Sequence, residues 1–202
     1  MSPRSAAVPV VTTVSLAGVG GQGIILAAAI LANAAMAAGF DVKASEVKGM
    51  AQRGGSVVST VRFGRQVWSP LAPHADLVIA TEELEGRRSL ALLRDGGTLV
   101  AATTKIAPGS VLRGERAYPS GLEEAAAARG VRLLCIDAET LAVQAGTIRA
   151  ANVALLGAAG AVLPFDDDAW RRGLEIAVPA KILEVNQRAF ALGRDAAAHQ
   201  EG

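Results

Sequence analysis

Directly after the β-branched run Val11 to Ala17 the chain reads Gly18-Val19-Gly20-Gly21-Gln22-Gly23, and then an uncharged stretch from Ile24 to Ala38 closed by Gly39. A G-x-G-x-x-G pattern between a strand and a helix has a mechanism. The glycines allow a tight turn and close backbone approach, and the unpaired N–H groups of the first helical turn favour an anionic group. With Val42 to Val47 following as a second β-rich run, the segment reads as a strand-loop-helix-strand unit. The helix is apolar nearly all round, so burial on both sides is expected.

The remaining chain keeps the alternation. Lys48 to Gly55 is a polar, glycine-flanked loop, Ser56 to Phe63 an extended run, Asp76 to Ala80 a short buried strand, and Glu82 to Arg94 a helix. Gly96-Gly97 ends that helix, and Leu99 to Ala102 is the next strand. Ser120 and Glu123 stand at capping-box spacing ahead of an alanine run, and Val131 to Ile136 is another strand. Three successive helices then follow, over Ile148 to Leu163, Asp166 to Val178 and Ala180 to Leu192. The fold class is α/β: a Rossmann-like, doubly wound, mostly parallel sheet with helices on both faces and a helical C-terminal part. One domain spanning 1–202 is expected, with about 1–9 and 194–202 frayed.

Composition limits the chemistry. A single cysteine, Cys135, excludes an internal disulfide, a CxxC pair and an iron-sulfur cluster held by this chain alone. A net charge of +1 argues against nucleic acid as a partner. The uncharged N-terminal stretch is broken by Pro9 and by glycines, and its helical part of about 15 residues reaches only ~22 Å, so no membrane span is expected. The lone thiol and the lack of an export signal favour the cytoplasm. Alanine supplies 42 residues and aromatics seven, which points to close-packed, small-residue helices.

Two clusters are candidate sites. The first is the turn itself, whose Gly18, Gly20, Gly21, Gln22 and Gly23 are candidate cofactor-binding residues together with Gly54, Gly55 and Ser56 of the second cluster. The second is Lys43, Glu46, Lys48, Gln52 and Arg53 with Gly54-Gly55-Ser56, in a stretch where residues 41–65 hold five basic and two acidic side chains. Arg53 is the candidate anion contact, and Gln52 and Glu46 the candidate orienting hydrogen-bond groups, because a guanidinium takes carboxylate or phosphate in bidentate fashion. Glu46, 28 positions after Gly18, or less favourably Asp41 at the start of the same run, would stand for the ribose-binding acid of a dinucleotide fold, both off the common spacing of about 20. Cys135 reads as a small apolar strand residue, Trp68 and Trp170 as packing or interface anchors, and Asn152, Lys181, Glu184 and Asn186 as surface or helix-helix hydrogen-bonding groups. No metal site is expected. A free-standing Rossmann-type dinucleotide-binding oxidoreductase and a non-catalytic scaffold remain open on these residues.

The glycine turn, the block Ser45-Glu46-Val47-Lys48-Gly49-Met50-Ala51-Gln52-Arg53-Gly54-Gly55-Ser56, and Val61-Arg62-Phe63-Gly64 together resemble the small, beta subunit of indolepyruvate ferredoxin oxidoreductases. More broadly they resemble the gamma domain of the 2-oxoacid:ferredoxin oxidoreductases. The likeness continues through Asp76 to Ile79, Asn152 to Gly157, Pro179 to Lys181 and Glu184 to Phe190, and is weakest between about 103 and 130. The resemblance implies oxidative decarboxylation of a 2-oxoacid, an arylpyruvate such as indolepyruvate, with coenzyme A taking the acyl group and ferredoxin the electrons. It also implies that thiamine diphosphate, magnesium and iron-sulfur clusters sit in a large alpha subunit. This chain would bind none of them alone and would act only in that complex. The glycine turn and residues 46–56 would then face the partner and shape the approach of coenzyme A or substrate.

Overall fold

A computed structural model describes residues 11–47 and 55–200. Six strands form one sheet in the order β2-β3-β1-β4-β5-β6: β1 (Val11–Val19), β2 (Asp41–Val47), β3 (Ser56–Gly64), β4 (Ala75–Ala80), β5 (Leu93–Ala102) and β6 (Arg132–Ile136). The helices are α1 (Ile24–Ala37), α2 (Glu83–Ser89), a short α3 (Gly109–Leu112), α4 (Leu122–Ala128), α5 (Ala138–Ala145), α6 (Ala151–Gly160), α7 (Asp167–Ala177) and α8 (Ala180–Ala198). The expected Rossmann-like class is what is found. β1, β4, β5 and β6 are parallel neighbours, but β3 runs antiparallel between β1 and β2. Eight residues separate Val47 from Ser56, too few for the crossover that a parallel pair requires.

Strand alternation divides the interior. Leu77 and Ile79 of β4 face the larger core with Val14, Leu16 and the helices α1, α5, α6, α7 and α8; Val78 and Ala80 face the smaller one under α2 and α4. The chain leaves β1 through α1 toward one side and leaves β4 through α2 toward the other. The ends of β1 and β4 therefore flank a crevice, the place where doubly wound sheets hold ligands.

The alanine-rich helices approach as closely as composition suggests. A Cβ at Gly193 of α8 would lie 1.7 Å from the Ala154 carbonyl oxygen, and one at Gly157 of α6 would lie 2.0 Å from that of Phe190. Only hydrogen fits at that crossing. Bulk is concentrated elsewhere, in a chain of rings from Phe40 through Phe63, Phe165 and Trp170 to Phe190, with successive centroids 4.8–5.4 Å apart.

Several sequence expectations shift. The helix expected to Arg94 ends at Ser89, passes through a single 3-10 turn and gives way to β5, where Arg94 pairs with Asp76 on the neighbouring strand. Ser120 does not cap α4, whose N-cap is Gly121 at φ 83° with no side-chain hydrogen bond. The first of the three C-terminal helices is shorter than expected, and α5 precedes it. Helix α8 continues through Ala198, past the expected start of the C-terminal end at about 194, with Ala197 buried and Gln200 Nε2 donating to the Cys135 carbonyl at 2.5 Å. The expected N-terminal fraying at about 1–9 lies outside the described residues.

Candidate functional site

The glycine turn closes on itself through Gln22. Its Oε1 accepts the Val19 N–H at 2.8 Å and the Thr81 hydroxyl at 2.7 Å, and its Nε2 donates to the Thr81 carbonyl at 3.0 Å. Gly18 permits this, since a Cβ there would sit 2.0 Å from Thr81 Oγ1. Gly21 and Gly23 adopt φ of 104° and 74°, the left-handed region where a side chain is strained. The turn thus needs glycine for two separate reasons, contact at Gly18 and backbone conformation at Gly21 and Gly23.

The structure brings the two glycine segments together. Val19 pairs with Ser56 across β1 and β3, and the Gly20 N–H donates to the Gly55 carbonyl at 2.8 Å. Ser56 Oγ in turn donates to Glu85 of α2 at 2.5 Å. Gln52, Arg53 and Gly54 lie outside the described residues. Glu46 falls on β2 opposite Ser59, which also pairs with Leu16 of β1, so the intervening β3 separates the two outer strands. This spacing does not reproduce the adjacent second strand whose acid meets the ribose in a dinucleotide fold.

A cleft of about 350 Å³ opens beside the turn, at the ends of β1, β4 and β5. Gly21, Gln22, Gly23, Thr81, Arg149 and Asn152 contribute to its lining, and the starts of α1, α5 and α6 converge on it. Sequence reasoning missed Asn152 as a site residue. It is only 6% exposed; its Nδ2 donates to the Gly23 carbonyl at 2.9 Å, while its Oδ1 has no hydrogen-bond partner among the described residues. A buried acceptor left unpaired at the wall of a cleft is costly and suits a ligand N–H. The Arg149 guanidinium, on an exposed residue, makes no ion pair among the described residues, and Glu139 stands on the same rim.

Other candidates have structural uses. Arg62 is held by the carbonyls of Ser69 and Leu71 at 2.6 and 2.8 Å, and Lys43 lies 3.6 Å from Asp41. Part of the basic surplus of residues 41–65 is therefore occupied within the chain. Asn186 Nδ2 donates to the Ile182 carbonyl and Glu184 pairs with Arg188, both one turn away on α8. Cys135 is half-buried, and burial, aided by Glu123 and Glu83, pushes its thiol above the ordinary range. Trp170 is 2% exposed and Trp68 83% exposed, which divides the two tryptophans into a core anchor and a surface group. Among the described residues no group of three or more His, Cys, Asp and Glu could hold a metal ion, and no helix is long and apolar enough to cross a membrane.

Residues 13–196 match the family described as pyruvate ferredoxin/flavodoxin oxidoreductase. The chain belongs to this family. It is 38% identical over 194 residues to the indolepyruvate oxidoreductase subunit IorB of Thermococcus kodakarensis, covering 93% of this chain and 96% of that one. The gamma subunit of a keto/oxoacid ferredoxin oxidoreductase from Geobacter sulfurreducens superposes with a TM-score of 0.72 at 25% identity, over 93% of this chain and 99% of that chain. The 2-oxoglutarate:ferredoxin oxidoreductase of Magnetococcus marinus, with 2-oxoglutarate, coenzyme A and succinyl-CoA bound, superposes with a TM-score of 0.75 at 20% identity, over 95% of this chain and 32% of that chain. The last shares the fold. As a family member the chain is a small subunit of a 2-oxoacid ferredoxin oxidoreductase complex, part of an oxidoreductase enzyme.

Proposed function

We propose that this subunit serves an indolepyruvate or other arylpyruvate ferredoxin oxidoreductase and that its glycine-turn cleft receives the anionic portion of coenzyme A. The reaction is oxidative decarboxylation of the 2-oxoacid to an acyl-CoA, with electrons leaving to ferredoxin through a large alpha subunit in the cytoplasm. Thiamine diphosphate, magnesium and iron-sulfur clusters belong to that partner, because one cysteine and the absence of a metal-binding group among the described residues do not fit them. The chain's own contribution is binding and orientation. The substrate class rests on the 38% identity to an indolepyruvate oxidoreductase subunit over nearly the whole chain.

The observation that carries the cleft assignment is the meeting of opposite needs in one place. The first-turn N–H groups of α1 and Arg149, which makes no ion pair among the described residues, attract a phosphate, and Asn152 Oδ1, without a partner among the described residues, accepts from an amide or amine. Coenzyme A offers both groups. A free-standing dinucleotide oxidoreductase fits less well, because β3 lies between β1 and β2 and separates the turn from the strand that would bring the ribose acid. A pure scaffold would give the cleft no ligand.

Arg149→Ala in the complex with the large subunit tests the assignment. Loss of a charge-assisted contact should raise KM for coenzyme A about tenfold and leave KM for the 2-oxoacid unchanged. An unchanged KM for coenzyme A removes the cleft from its path.

A further inference from the structure

We infer that Glu85 is a positioning residue for the glycine turn, acting through Ser56 and Gly55; this rests on the cleft reading above. Glycines carry no side chain to hold their own turn, so the tethers must come from elsewhere. Both of those formed with the β4–α2 junction start within one helical turn of sequence. Thr81 holds Gln22 from one side. Glu85 takes the other side: it accepts Ser56 Oγ at 2.5 Å, and the adjoining Gly55 carbonyl accepts the Gly20 N–H at 2.8 Å.

The carboxylate of Glu85 is not there to cap its helix. That role is filled by Glu82, whose Oε2 accepts the Glu85 N–H at 2.9 Å. Glu85 is 3% exposed, and a buried carboxylate is tolerated only when paired and hydrogen-bonded. Its two oxygens are divided between Arg88 at 2.5 Å, on the solvent side, and Ser56 on the site side. The arrangement anchors the first residue of β3 to α2, and the β1–β3 register carries that anchor to Val19 and Gly20. Removing the carboxylate takes away the acceptor of Ser56 Oγ, so the Gly55 carbonyl that receives the Gly20 N–H loses its anchor on α2 and the turn keeps only the Gln22–Thr81 tether on the other side.

The test uses the assembled complex, with coenzyme A as the varied substrate. Glu85→Ala, Ser56→Ala and the double variant are each expected to raise KM for coenzyme A by about tenfold, with kcat within about twofold, because one pathway is broken in all three. Glu85→Gln, which keeps an acceptor for Ser56, should stay within about threefold of the parent. Additive effects in the double variant, or a parent-like Glu85→Ala beside an impaired Ser56→Ala, overturn the inference. Should Glu85→Ala fail to fold, Ser56→Ala and Glu85→Gln decide: a parent-like KM in Ser56→Ala, or a Glu85→Gln as impaired as Ser56→Ala, overturns it. If Arg149→Ala raises KM while the Ser56 and Glu85 variants do not, the positioning role alone falls; if none of them moves it, the cleft reading falls as well.

Discussion

Gly18→Ala strikes the packing of the turn without any backbone strain to complicate the result, since Gly18 is not among the positive-φ glycines. The new Cβ would lie 2.0 Å from Thr81 Oγ1, 2.8 Å from Ile24 Cδ1 and 3.1 Å from Gln22 Oε1. The Ile24 methyl can rotate away, but Thr81 must move, and its 2.7 Å bond to Gln22 is lost with it. Overpacking of this kind costs about 1–3 kcal/mol and the lost hydrogen bond about 1 kcal/mol more, together ~2–4 kcal/mol. For a chain of 202 residues this corresponds to a fall in Tm of roughly 5–15 °C, measurable by circular dichroism. Gly39→Ala is the control: φ is +84° and nothing lies within 4 Å of the added Cβ, so only strain of about 1 kcal/mol is expected. The decisive comparison is Gly18→Ala in a Thr81→Ala background, where the obstructing hydroxyl is gone and the cost should fall by about half. An equal cost in both backgrounds would refute the reasoning.

The tryptophans should separate cleanly. Trp170→Ala removes a 2%-exposed ring from the aromatic chain and is expected to cost ~3–5 kcal/mol in urea unfolding, while Trp68→Ser at 83% exposure should stay within ~0.5 kcal/mol. Asp41 has its pKa held below the ordinary carboxylate value by the Val67 N–H, which it accepts at 2.7 Å, with Lys43 adding to the effect. A depressed folded pKa gives stability that is present above the unfolded value and lost as pH falls through the folded one. Asp41→Asn should therefore flatten the acid limb of the urea midpoint below about pH 4, and an unaltered limb would contradict the assignment. Cys135, its thiol pushed up first by burial, should react with iodoacetamide slowly at pH 8 and accelerate above its ordinary 9.0; a half-maximal rate below pH 8 would contradict that cause.

Local signals carried the sequence reading as far as they could. The β-branched run, glycine turn and uncharged helix specify β1 and α1 from residues that are neighbours in the chain, and their boundaries differ little from those expected. The antiparallel course of β3 is legible in the eight-residue connection after Val47, too short for a crossover, and agrees with a sheet expected to be mostly rather than wholly parallel. Helix α5 carried its own punctuation, with Asp137 capping Thr140 N and Gly146 following its end, over a segment too short to show a periodic face. Asn152 had no local signal at all. Its partner Gly23 is 129 positions away, so its role exists only after the sheet has formed and α6 has docked against it. Arg94, expected at the end of a helix, instead pairs with Asp76 on the adjacent strand, a partner 18 positions away that no local signal marks.

Dependence on a partner is tested most directly by 2-oxoacid-driven ferredoxin reduction in the presence of coenzyme A. The assay compares the purified chain, the purified large subunit and their reconstituted mixture. Turnover of indolepyruvate is expected in the mixture and not with the chain alone. Ferredoxin reduction by this chain unaided, or full activity of the large subunit without it, would contradict the account.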